Sequence, residues 1–224
     1  MSTEPTRILV WDGAVRLVHW LMVILVPLLW WTAEEGHMDW HKSFGLAMFA
    51  LVLFRLLWGF LGTWTARFGP MIRRIGSLGP YLSKLRRREP ASTFGHSPLA
   101  ALSVFAMLLI LAIQVTSGLF SVDVDGLESG PLAALISFET GRQFAEVHEF
   151  NFNLLATLIG LHITAIGIYH FLLKEKLVGA MLTGRRSRAD FPVAPETKNR
   201  PPRSSMLAAA LVALACAIAL LNFG

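Results

Sequence analysis

Two histidines, His148 and His162, lie fourteen positions apart in an apolar run that continues to about Leu173. On a helix turning 100° per residue, that spacing brings the second imidazole almost back onto the face of the first, about 21 Å further along the axis. Two imidazoles on one face, at two depths of a membrane-length helix, imply two stacked ligand sites. Imidazole is an axial ligand for haem iron, and two haems stacked across a bilayer form an electron path. Each site needs a second imidazole, and the first two apolar runs of the chain carry one apiece, His19 and His41.

Those histidines must be positioned by helices in lipid. The chain has 224 residues, 54% of them hydrophobic, and a mean hydropathy of +0.54. Apolar runs of about 18 residues or more recur, which marks an all-α membrane protein. The first span is expected from about Ala14 to Thr32, with Pro27 inside it and Trp20, Trp30 and Trp31 as candidates for the interfacial aromatic belt. The second runs from His41 to about Leu61, the third from about Pro98 to Phe120, and the fourth from His148 to about Leu173. A fifth, rich in Ala and Leu, covers Ser205 to Phe223. A short surface helix is expected over Pro131 to Phe138. Ala14 to Thr32 is too long for a signal-peptide core and has no small-residue cleavage site after it, so it reads as a retained span. The single cysteine, Cys216, excludes an intramolecular disulfide and a cysteine-ligated iron–sulfur cluster.

Charge alternates between the loops. Glu34, Glu35 and Asp39 follow the first span, and Asp123, Asp125, Glu128, Glu139 and Glu146 follow the third, opposed there only by Arg142. The connection Gly62 to Gly95 carries Arg67, Arg73, Arg74, Lys84, Arg86, Arg87 and Arg88 against Glu89. Lys174, Lys176, Arg185, Arg186 and Arg188 follow the fourth span, and a Pro-rich segment with Lys198, Arg200 and Arg203 comes next. The positive-inside rule then places the N-terminus and the basic loops in the cytoplasm and the C-terminus outside. This topology accounts for most of the net charge of +5 and displaces the reading of Arg86-Arg87-Arg88 as a nucleic-acid patch.

Topology turns the histidines into a test of depth. His19 falls five to seven residues inside the inner end of span one, about 8–10 Å, and His162 about ten residues before the inner end of span four, roughly 15 Å. His41 and His148 both open spans at the outer surface. The four therefore sort into an inner pair, His19 with His162, and an outer pair, His41 with His148. Two imidazoles fill both axial positions of a haem iron, which favours electron transfer over oxygen chemistry. The competing reading makes these histidines interhelical hydrogen bonds or a proton relay, as in a non-redox transporter or scaffold. Gly45, one turn after His41, and Gly160, near His162, leave room for a flat macrocycle. Arg55 shares the face of His41 near the inner level; it either pairs with haem propionates or snorkels to headgroups. Glu149 is either a proton-handling carboxylate or a solvated acid at a helix N-terminus. His96 and His170 stand at inner helix ends, solvated or linked to quinone protonation, and His37 reads as a loop residue.

Several stretches resemble the bacterial cytochrome b561 and nickel–iron hydrogenase b-type cytochrome family. They are Trp11-Asp12, Arg16-Leu-Val-His19-Trp20, His41-Lys-Ser-Phe-Gly45, Phe54-Arg55-Leu-Leu-Trp58-Gly59, His148-Glu149-Phe-Asn-Phe-Asn153 and Leu161-His162. The resemblance covers about Arg7 to Arg186. It implies a four-helix bundle with two haems b, ligated from helices one, two and four, and so by His19, His41, His148 and His162. It further implies electron transfer between membrane quinone, which the chain itself would bind, and a periplasmic c-type cytochrome or hydrogenase-like oxidoreductase. One branch of the family suggests the alternative of a superoxide:quinone oxidoreductase. The expected organisation is a dihaem domain over 1–186, a cytoplasmic Pro/Arg-rich linker over 187–204 and an additional transmembrane helix over 205–224, in a bacterial inner membrane.

Overall fold

The computed structural model describes residues 7–87, 93–191 and 203–222. Arg88, Glu89, Lys198, Arg200 and most of the 187–204 linker lie outside the described residues. Among the described residues, five helices are long and apolar enough to cross a membrane: α1 (Gly13–Glu34), α2 (Met38–Leu61), α5 (Pro98–Phe120), α6 (Phe138–Phe171) and α8 (Arg203–Leu221). Between α2 and α5 lie two short helices, α3 (Phe68–Ile75) and α4 (Leu78–Arg86). After α6 come α7 (Leu177–Thr183) and a strand, β2 (Arg185–Ser187), which pairs antiparallel with β1 (Arg7–Leu9) near the N-terminus.

The starts of three spans are written in their caps. The first N–H groups of a helix have no intrahelical acceptor, and an Asp or Ser just before the helix supplies one. Asp12 Oδ1 accepts from Val15 N at 2.8 Å, Ser97 Oγ from Ala100 N at 3.2 Å and Ser137 Oγ from Thr140 N at 3.3 Å. Pro98 adds a residue suited to the first helical position. The third span therefore begins where its sequence says it does.

The fourth does not. α6 has 34 residues and begins ten positions before His148. At 1.5 Å per residue it is about 51 Å long, well beyond a hydrocarbon core of roughly 30 Å. Its first turns carry Glu139, Arg142, Gln143 and Glu146, which interrupt the apolar run without breaking the helix. Glu149 is consequently a mid-helix residue, and the helix-terminus reading for it falls; Glu139 occupies the first turn instead. Pro131 to Phe138 forms only a single 3-10 turn at Ala133–Leu135.

The chain divides into two compact units. One comprises the described residues of Met1–Leu17, Leu57–Phe105 and Leu161–Met206. Its centre is Asp12, whose second oxygen, Oδ2, accepts from Trp58 Nε1 at 3.1 Å and from Thr63 Oγ1 at 2.6 Å. Thr65 Oγ1 donates to the Val10 carbonyl at 2.7 Å. Gly184 adopts a left-handed conformation, φ +76°, and its carbonyl accepts from Val10 N and Trp11 N. Any Cβ there would meet the Trp11 carbonyl oxygen at 2.7 Å. Val10, Phe94 and Phe191 form a small apolar core. Arg74 donates to the Phe94 and His96 carbonyls, and its guanidinium lies 5.2 Å from the centre of the Trp64 ring. Burial draws its pKa below the ordinary arginine value. Arg186 pairs with Glu175 at 2.6 Å and Asp190 at 3.2 Å.

The other unit comprises Val18–Leu56, Ala106–Gly160 and the described residues of Leu207–Gly224. Met48, Val52, Leu111 and Leu155 are its buried core, with Met22, Leu25 and Ile159 packed against them.

Asp12 is 1% exposed and holds three donors. Asp12→Ala leaves Trp58 Nε1 and Thr63 Oγ1 buried without their acceptor and removes the cap of α1. The expected loss is about 3 kcal/mol, read as a lower unfolding midpoint in detergent by circular dichroism.

Candidate functional site

Within the second unit, α2 and α6 bring His41 and His148 together, with ring centroids 6.2 Å apart and ring planes 78° to one another. Each imidazole is oriented by a backbone carbonyl. His41 Nδ1 lies 2.9 Å from the Leu29 carbonyl on α1, with Thr32 Oγ1 at 3.5 Å. His148 Nδ1 lies 3.0 Å from the Gln114 carbonyl on α5, with Ser117 Oγ at 3.2 Å. A carbonyl oxygen only accepts, so in both rings Nδ1 carries the proton and donates it. That assigns the lone pair to Nε2 in both, the arrangement that suits a metal-ligating histidine.

The surrounding residues fix this geometry. Asn151, one turn after His148, donates to the Ile110 carbonyl at 3.0 Å and to Gln114 Oε1 at 2.5 Å, which ties α6 to α5. A Cβ on Gly118 would come within 2.9 Å of His148 Cε1, so the absence of a side chain there gives the ring its place. Gly130 packs in turn against the carbonyls of Gly118 and Leu119. A turn with Gly126 at φ +71° folds the loop back so that Asp123 N donates to the Glu128 carbonyl at 3.0 Å. Glu128 then reaches Lys42 at 2.6 Å.

Both histidines line a cavity of about 530 Å³, a size typical of cofactor sites. Its deeper wall is apolar, with Met48, Leu111, Val115 and Leu155, whereas its charged lining is Glu34, Lys42, Asp123, Glu128 and Glu149. Gly45 also lines it, and a Cβ built there meets nothing within 4 Å.

This donor set fits a haem. Metal–imidazole bonds of about 2 Å, with about 1 Å from each nitrogen to its ring centre, separate two axial imidazoles by roughly 6 Å. Among the described residues no three His, Cys, Asp or Glu side chains are grouped to hold a metal ion by themselves.

The remaining candidates are placed as follows. His19, on α1, is half-buried, with its ring 5.2 Å from Trp20. His162, on α6, is half-buried. Arg55 is buried at 7% exposure, so it does not stretch along the surface to snorkel. His96 precedes α5 and meets Trp11 edge-on at 4.5 Å, His170 is exposed at the end of α6, and His37 sits in the α1–α2 turn near Trp31. The residues that orient the histidines, Leu29, Gln114 and Ser117, are absent from the sequence reading. Ser117 was detectable as a polar residue in an otherwise apolar span, whereas Gln114 orients the ring through its backbone carbonyl. Leu29 acts through its backbone and leaves no side-chain signal.

Among the described residues, five membrane-length helices define a multi-pass helical membrane protein, with an imidazole pair beside a cavity. The chain belongs to the prokaryotic cytochrome b561 family, whose sequence model matches residues 10–184, more than half of its length. That membership makes it a membrane b-type cytochrome of electron transfer. No curated protein and no solved structure matches the chain.

The Gly118 contact gives a direct test. Gly118→Ala should push the His148 ring from its place and lower the b-haem content of the purified protein, measured as pyridine haemochrome per polypeptide.

Proposed function

We propose that the chain is a dihaem cytochrome that carries electrons between the membrane quinone pool and a periplasmic redox protein. In this reading His41 and His148 are the axial ligands of one haem b, and His19 and His162 those of the other. Gly45 leaves space for the macrocycle, and the buried Arg55 pairs with a propionate. The observation that carries the reading is the pair of imidazoles at 6.2 Å, each with its Nδ1 proton given to a carbonyl.

A haem held by each histidine pair would supply a one-electron carrier. The chain does the rest. The Leu29 and Gln114 carbonyls keep both rings in the tautomer that presents Nε2, and the helices hold that geometry against rotation. Met48, Leu111 and Leu155 exclude water from the deep wall, which limits the reorganisation that accompanies each electron.

The alternation of loop charge supports a cytoplasmic N-terminus and a periplasmic C-terminus in a bacterial inner membrane. The acidic segment from Ser121 to Val147 would then face the periplasm and suit a basic surface on a c-type cytochrome or a hydrogenase-like oxidoreductase. The basic loops, on the opposite side, belong to the quinone end. Residues 1–186 form the dihaem domain in this scheme, followed by a linker over 187–204. α8 is an additional span in this scheme, and it lies beyond the matched residues 10–184.

The test is a reduced-minus-oxidised spectrum with haem stoichiometry. Wild type should carry two haems b per chain, and His162→Ala should lose one and keep the other. Loss of neither would reject the pairing, and a colourless wild type would reject the function. A second expectation concerns the partner. Raising salt from 10 mM to 1 M shortens the Debye length from about 30 Å to about 3 Å, and stopped-flow association with a basic c-type cytochrome should slow by about tenfold or more.

A further inference from the structure

The cavity beside His41 and His148 has an uneven charge. Among the described residues, four acids, Glu34, Asp123, Glu128 and Glu149, line it together with a single cation, Lys42. A haem brings two carboxylates of its own, and their place is the charged end of the cavity, because the deep wall is apolar and a buried charge without a partner is costly. Arriving among four acids, a propionate finds one ammonium.

Lys42 follows His41 directly on α2, so the residue that would ligate iron and the only cation of the lining are set by one turn of helix. Its ammonium is already held in place. Glu128 pairs with it at 2.6 Å, and Glu128 is delivered by a tight turn rather than by a loose loop, with the Val122–Ser129 bridge beneath it. Both side chains are more than a third exposed, and an exposed ion pair stabilises little. The pair therefore has more to offer as a means of aiming an ammonium than as a strap.

We propose that Lys42 is the binding group for a propionate of the haem held between His41 and His148, with Glu128 as the residue that positions its ammonium at the cavity rim. This inference rests on the dihaem reading above. Its electrostatic consequence is specific. A cation near the iron favours the reduced state and raises the midpoint potential; an anion does the reverse. Lys42 and Glu128 thus act on the iron with opposite sign, although they share one ion pair.

The experiment is a spectroelectrochemical titration of purified full-length protein, with the haem of His19 and His162 as internal reference. Lys42→Gln should lower the potential of the His41–His148 haem and speed its loss to apomyoglobin several-fold. Lys42→Arg should keep both near wild type. Glu128→Gln should raise that potential while the haem stays bound. If the pair is only a structural strap, the two charges still act with opposite sign, but Lys42→Gln and Glu128→Gln break the same contact and change the rate of haem loss alike. That result, or no shift in either variant, overturns the proposal. His148→Ala separates the two levels of the argument. If it abolishes one haem signal while the Lys42 variants change nothing, the propionate assignment fails and the dihaem reading stands. If it abolishes none, the ligand assignment itself fails.

Discussion

A ring nitrogen that carries a proton inside an apolar bundle must give it to an acceptor, and the nearest acceptors here are carbonyls that the helices' own ladders already use. His41 and His148 solve this by sharing such carbonyls, at Leu29 on α1 and Gln114 on α5. The consequence extends past the two side chains. Each bond joins a histidine-bearing helix to a neighbour, so the tautomer of the imidazole and the placement of the helix are set by the same contact. Ser117, Asn151 and Gly118 then serve one end of this arrangement, and Thr32 the other.

The polar residues of the spans divide between two tasks. Those near His148 orient a ring. Those around Asp12 close off chain ends: one carboxyl group caps α1, holds the indole of Trp58 near the end of α2, and holds Thr63 just beyond it. Neither cluster lies on a water-facing surface, and each satisfies nearly all its donors within the protein, as a low-dielectric setting demands.

What the sequence made legible follows from what hydropathy measures. The third span could be read to the residue because Ser97 and Pro98 mark its start chemically. α6 could not, because an apolar run reports the thickness of hydrocarbon and not the length of a helix; Glu139 to Glu146 continue the helix outside that layer. α3 and α4 were hidden for a related reason: eight or nine residues with a Gly-Pro inside each carry too little periodicity to stand out from a basic loop. The common level of His41 and His148 was open to a depth argument, since only the number of residues from a span end enters it. The carbonyls that fix their tautomers were not, because a backbone acceptor has no letter of its own.

The two-stranded pairing of Arg7–Leu9 with Arg185–Ser187 has a temporal side. Its partners are almost the whole core apart in sequence, so the first strand waits as the four spans between them are made. At about 5–20 residues per second, synthesis of that interval takes on the order of ten seconds or more. Arg7–Leu9 is thus translated before all four spans and can pair only after the last of them is made.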